Sequence, residues 1–334
     1  MENKSLDLIV CHRGLHDPDL LDRTRPVENS LAAYRKAWKY FTLCECDVTV
    51  SKDGELYLCH DETFRRVLDD PHNQPLADTQ VCDLFSAQID TLKLLDGSSP
   101  PRLAQVLEVA QSYGPTDARR LVVELKKDKA YQQVIQKLCE FLEAHNDLAS
   151  HVAVIMSFDL GIMEALGEWR TQTSQKESIK HINFMLLTEA PAHFDAANNT
   201  ILADVCSSNF RVNCERLVRD SKLDGVYLEF QEEMITNTIL SLEENKIQDE
   251  LATLARSMPV GVWNYSTTQP DGLVTLERFA QLGLKYVNSD LPENELNKRG
   301  IGTKPERESC LDALWLSLFC VYGVGRKGGS TSAV

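Results

Sequence analysis

Two carboxylates, Glu45 and Asp47, alternate with two thiols, Cys44 and Cys46, in the run LCECDVTV at 43–50. Side chains along a strand alternate between faces, so Glu45, Asp47 and Thr49 share one side while Cys44, Cys46, Val48 and Val50 share the other. Small thiols beside valines suit a packed face against helices, which turns the carboxylates toward a barrel interior. Two ionised groups facing a low-dielectric interior repel each other and lose hydration, and a metal ion is the economical compensation. LVVELK at 121–126 repeats the pattern, with Glu124 and Lys126 opposite Leu121, Val123 and Leu125. His12 in VCHRG and His60 in LYLCHD each stand opposite a thiol, Cys11 and Cys59. Three carboxylates and two imidazoles favour a hard divalent cation, Mg²⁺ or Ca²⁺, because zinc or copper would be expected to recruit the thiols. Each residue alone has a structural reading: Glu124 as the salt-bridge partner of Lys126, and His12 and His60 as hydrogen-bonded core histidines. Their joint occurrence at the C-terminal ends of neighbouring strands favours the metal.

The elements that must hold these residues read as alternating strands and helices, the pattern of βαβ units around a parallel sheet. Strands are expected at 7–12, 43–50, 121–126, 151–157, 182–188, 224–230, 260–265 and 284–289. Helices are expected between them, for example at 28–40, 103–111, 129–145, 212–221 and 235–257. Eight such pairs close a (β/α)8 TIM barrel, for which 334 residues leave room for insertions. SKDG at 51–54 predicts a tight turn into an extra strand, ELYLCH. The weakly periodic stretch 61–101 reads as an insert over the C-terminal face, and 189–210 as a second irregular loop. The barrel domain is expected over 1–300, and 301–334 as a C-terminal extension.

Composition narrows the function. With 35 basic against 50 acidic residues and a net charge of -15, the chain lacks the clustered positive charge that non-specific nucleic-acid binding requires. Ten cysteines with no CxxC pair and no basic-then-apolar leader predict reduced thiols in a cytoplasmic protein. No run reaches the ~20 apolar residues of a membrane span. The nearest, LDALWLSLFCVYGV at 311–324, is expected to be a terminal helix docked on the domain, with membrane contact through the same residues as the alternative.

HRG (12–14), ENSLAAYRKAW (28–38), ECDVTVSKDGELYLCHDETFRR (45–66) and VELK (123–126), in this order and spacing, closely resemble the glycerophosphodiester phosphodiesterase family. VGVWNY and LKYVNSDLP resemble its last two strands, so the likeness spans roughly 7–292. The resemblance implies a metal-dependent barrel that cleaves a small-molecule phosphodiester. It puts Glu45, Asp47 and Glu124 on the metal ligands and His12 and His60 on the general acid/base pair. Arg13 falls on a phosphate-contacting arginine, Lys126 on a lysine beside the site, and Asn29, with Glu28 beside it, on a polar position after the first strand, and with Trp263 these four are expected to bind the substrate or its phosphate. Departures at Val67 and Leu68, where the family carries threonines, and after Trp263, mark the expected alcohol subsite.

Cleavage needs neutralised equatorial oxygens, an activated attacking oxygen and a protonated leaving group. The expected reaction is hydrolysis of glycerophosphodiesters such as glycerophosphocholine, with Trp263 either a cation–π platform for a choline-like group or a barrel-filling aromatic. Lysophospholipase D activity is the near alternative, and a non-catalytic phosphate-ester or protein-binding module the distant one. The latter predicts loss of a ligand or histidine, and all five are present.

Overall fold

A strand whose residues alternate between two buried environments can close only where both faces are covered, and the eight parallel strands here meet that condition. The computed structural model describes residues 6–17, 26–114, 118–173, 177–189, 209–231, 234, 242–264 and 272–290. Its strands are β1 (Ile9–Cys11), β2 (Leu43–Val50), β3 (Leu56–Leu58), β4 (Arg120–Leu125), β5 (Val152–Ser157), β6 (Asn183–Thr188), β7 (Gly225–Glu229), β8 (Val260–Trp263) and β9 (Tyr286–Ser289). The sheet runs β1-β9-β8-β7-β6-β5-β4-β2-β3, and a further β1–β2 pairing closes it. All pairings are parallel except β2–β3. The chain is therefore a TIM barrel, with β3 as an antiparallel addition.

The alternation sorts side chains as expected. Cys11, Cys44, Cys46, Leu121, Val123 and Leu125 pack in the layer between strands and helices. Val10, Val122, Val154, Met185 and Tyr227 fill the interior. The helix Leu103–Ser112 buries Leu103, Val106, Leu107 and Ala110, one stripe at helical period. Tyr131–Ala144 buries Val134, Leu138, Cys139 and Leu142 in the same way.

Two differences from the sequence reading bear on the site. Cys59 does not join the helix-facing layer; it packs in a separate cluster with Val27, Tyr57, Phe64, Val67, Leu68 and Ile89. The stretch 61–101 thus builds a core of its own from short 3-10 turns and one short helix, Ser86–Ile89, which is why it lacks periodicity. Val67 and Leu68 belong to that core and do not line the candidate cavity, so the alcohol subsite expected there is corrected. Among the described residues no helix is long and apolar enough to cross a membrane. The loop read at 189–210 falls almost wholly, and the segment 301–334 entirely, outside the described residues.

Candidate active site

β2 delivers Glu45 and Asp47, and its neighbour β4 delivers Glu124 in register with Asp47. One carboxylate oxygen from each lies within 4.8 Å of the others, and all three residues are buried. Backbone and amide donors hold the outer oxygens. Arg13 N–H donates to Glu45 Oε2 at 3.0 Å, and Asn29 Nδ2 donates to Asp47 Oδ2 at 2.9 Å. Glu45 Oε1 is buried without a hydrogen-bond partner, and Asp47 Oδ1, also without one, faces Lys126 Nζ at 3.1 Å. Lys126 Nζ also donates to Glu124 Oε1 at 2.5 Å.

These orphaned oxygens fit a divalent cation. Glu45 is pushed up to about 8, first by burial and then by the facing Asp47 carboxylate. Burial also opposes ionisation of Asp47, yet the Lys126 and Arg13 charges outweigh it and hold that carboxyl well below the usual range. Three buried carboxylates, two of them with an oxygen that no hydrogen-bond donor satisfies, form an oxygen-only donor set suited to a hard ion. Glu45, Asp47 and Glu124 could therefore hold a metal ion.

Strained turns aim the loop groups. Arg13 and Asn29 adopt left-handed backbone, φ 50° and 54°, a conformation that costs a non-glycine residue about 1 kcal/mol or more. The turn at Arg13 points its N–H at Glu45 and brings its Nε to 3.2 Å from Asp47 Oδ2. Asn29 is fixed by the Tyr34 hydroxyl, which donates to its Oδ1 at 2.7 Å. Ser30 next to it caps the helix Leu31–Ala37 by accepting from Ala33 N–H.

The two imidazoles arrive by different routes. His12 follows β1 directly. His60 follows β3, which the turn at SKDG folds back onto β2, and Cys59 N–H donates to Asp47 O at 3.1 Å. Each ring has a carboxylate on Nδ1: Asp290 at 2.8 Å from His12, and Asp61 at 2.6 Å from His60. Nε2 of His12 is 3.9 Å from Glu45 Oε2. Asp61 and Asp290 escaped the sequence reading, as did Arg66. Asp61 could have been suspected from its place beside His60, whereas nothing local marks Asp290 as the partner of His12.

Burial lowers the His12 pKa, but Asp290 and then Glu45 more than reverse this, raising it to about 9. A histidine raised from 6.5 to about 9 on folding contributes stability that is complete below 6.5 and lost as pH rises through 9. Asp290→Asn is therefore expected to shrink that pH-dependent loss in the metal-free protein, with the His12 titration moved downward. Denaturation at a series of pH values, with NMR of the ring, checks both; an unmoved titration would remove Asp290 as the cause.

A cavity of ≈ 300 Å³ opens beside this cluster. Its lining combines the charged and polar His12, Arg13, His60, Glu124 and Lys126 with the apolar Met156, Phe158, Leu187 and Trp263. Trp263 is oriented by its Nε1–H, which donates to Thr188 O at 2.9 Å, and by a T-shaped contact with Phe158, ring centroids 5.1 Å apart. Asn264, just after it, also lines the cavity. Glu28 and Asn29 do not. Asn29 is spent on Asp47, and Glu28 is gripped by Arg66, with Arg13 Nη1 at 3.3 Å.

Known proteins resemble this chain in sequence and in fold. The model of the glycerophosphoryl diester phosphodiesterase family matches residues 12–228. Similar solved structures include a phosphodiesterase of Oleispira antarctica in complex with the product sn-glycerol-3-phosphate, at 17% identity and TM-score 0.56 over 89% of this chain and 98% of that one. Others are glycerophosphodiester phosphodiesterases of Thermotoga maritima (17% identity, TM-score 0.54, 87% and 98% covered) and Agrobacterium tumefaciens (19%, 0.53, 85% and 96%). No curated protein matches the sequence.

Proposed function

The chain belongs to the glycerophosphoryl diester phosphodiesterase family and is a phosphodiesterase, and from that premise we propose that it hydrolyses glycerophosphodiesters such as glycerophosphocholine to glycerol 3-phosphate and an alcohol. The observation that carries the reading is the buried triad of Glu45, Asp47 and Glu124 with two imidazoles beside it. The domain responsible is taken as 1–300, with 301–334 as an extension to it.

In this reading the triad holds Mg²⁺ or Ca²⁺, which supplies Lewis-acid polarisation of a non-bridging phosphoryl oxygen when bound. Arg13 and Lys126 attract the anionic diester and share its equatorial charge. Asp61 and Asp290 occupy Nδ1 of the rings, which leaves each Nε2 for proton transfer. One imidazole takes the proton of the attacking oxygen and the other gives one to the leaving alkoxide, a contribution of roughly 10²–10⁴ in rate. Glu28 and Asn29 serve as supports for Arg13 and Asp47 and do not touch the substrate. The apolar part of the lining, with Trp263, receives the alcohol, where the indole is a platform for a quaternary ammonium.

A volume of ≈ 300 Å³ lies at the small end of ligand sites and supports a head group over a long acyl chain. The test is product identification by mass with glycerophosphocholine, glycerophosphoethanolamine and lysophosphatidylcholine, each with Mg²⁺, Ca²⁺ or chelator. Expected is cation-dependent release of glycerol 3-phosphate from a soluble diester. A preference above about tenfold for the lysophospholipid would replace the reading with lysophospholipase D.

A further inference from the structure

Side chains of alternating charge run without a break from Arg13 to His60. Arg13 Nη1 lies 3.3 Å from Glu28 Oε1. Arg66 takes both oxygens of Glu28 in its fork, Nη1 to Oε2 at 2.6 Å and Nη2 to Oε1 at 2.7 Å. The third donor of the same guanidinium, Nε, reaches Asp61 Oδ2 at 2.7 Å, and Asp61 Oδ1 meets His60 Nδ1 at 2.6 Å. We propose that Arg66 is a positioning residue, which fixes the His60 imidazole through Asp61 and ties it to the loop that presents Arg13. The inference rests on the phosphodiesterase reading above, with His60 as a proton-transfer group.

Geometry argues for positioning over a simple surface ion pair. An aspartate with 36% of its side chain exposed has rotameric freedom that a single contact to a histidine does not remove. Arg66 pins the outer oxygen of Asp61 and so commits the inner one to the ring. That in turn commits Nδ1 and directs Nε2 elsewhere, the arrangement a proton-transfer imidazole needs. Only a planar fork serves Glu28 and Asp61 together, because a lysine ammonium offers a point charge without the paired donors. The backbone on both sides of the link is held independently. Val27 precedes Glu28, and Phe64, Val67 and Leu68 flank Arg66, and all four pack in the buried cluster of the insert. Arg66 itself is 39% exposed and is not a member of that cluster, so its removal takes no apolar contact from the platform. The insert thus supplies the platform, and Arg66 the connection from the platform to the chemistry.

The test compares Arg66→Ala, Arg66→Lys, His60→Ala and the double variant Arg66→Ala/His60→Ala, with glycerophosphocholine and saturating Mg²⁺. Arg66→Ala is expected to lower kcat by about 10–100-fold, more than it changes KM, with a lowered melting temperature because buried Glu28 loses its fork, and with little rescue of kcat in Arg66→Lys. Because Arg66 acts through His60, Arg66→Ala is expected to add little once His60 is gone, a non-additivity that a merely structural staple does not produce. Long-range ¹⁵N NMR of the ring gives a readout apart from activity: the Nδ1-protonated form of His60 is expected to lose its dominance in both Arg66 variants. Wild-type kcat and an unaltered ring spectrum in Arg66→Ala, or fully multiplicative losses in the double variant, would overturn the inference while leaving the phosphodiesterase reading in place. Undiminished kcat in His60→Ala would overturn the inference together with the proton-transfer role of His60, whereas absence of wild-type turnover would overturn the phosphodiesterase reading as well. If Arg66→Ala does not fold, the same outcomes are read on Arg66→Lys.

Discussion

A Glu45→Gln protein is expected to lose divalent-cation binding and, with it, on the order of 10³-fold or more in kcat, while its metal-free form is at least as stable as the wild type. The two halves have one cause. Glu45 is fully buried, and its charge is opposed by desolvation and by Asp47, which together hold it up to about 8. A carboxyl raised from 4.5 to about 8 on folding binds more protons in the native state over that window, so metal-free stability falls as pH rises from 4.5 to 8. Glutamine keeps the shape and an oxygen for the Arg13 N–H, removes the charge, and turns an amide nitrogen toward the place of the orphaned Oε1, a poor ligand for a hard ion. The pH slope between 4.5 and 8 is expected to flatten in the variant. Added Mg²⁺ or Ca²⁺ is expected to raise the melting temperature of the wild type, by mass action, and not that of the variant. Calorimetry of both proteins over pH 4–9, with and without ion, checks this; a variant that still binds the ion would detach Glu45 from the metal.

His12→Ala and His60→Ala are each expected to lower kcat by roughly 10²–10⁴ with cation affinity kept. Neither ring belongs to the oxygen cluster that could hold the ion, and each lines the cavity from its own loop with an aspartate on Nδ1. Combining the two is expected to cost less than the product of the single losses, since one proton-transfer partner without the other supports little of the concerted step. Steady-state kinetics on glycerophosphocholine with calorimetric titration of the ion separates the roles. Unchanged kcat in either variant would take that imidazole out of the reaction, and loss of ion binding would make it a ligand.

What the sequence made legible was whatever depends on local alternation. LCECDVTV is a strand over its full length, and its period of two assigned Glu45 and Asp47 to one environment and Cys44 and Cys46 to the other. LVVELK was read correctly for the same reason. The insert was opaque because its order comes from contacts between Val27 and residues 57–94 and not from a repeating pattern. Cys59, the thiol opposite His60, packs in that core. Partnerships across the chain were equally hidden: His12 and Asp290 are 278 residues apart and meet only because β9 closes the barrel beside β1. Glu28 and Asn29 read from the sequence as substrate-binding residues, but neither lines the cavity, since their direction depends on the left-handed turn at Asn29 and on Arg66 arriving from the insert.

The central claim is that Glu45, Asp47 and Glu124 grip one ion between two imidazoles. Crystals grown with Mn²⁺ as an anomalous stand-in for the physiological ion test it most directly. A single anomalous peak is expected within about 2.6 Å of an oxygen from each of the three carboxylates, with density at the opening lined by His12 and His60 when glycerol 3-phosphate is added. A peak elsewhere, or none while Lys126 still bridges Asp47 and Glu124, would contradict it.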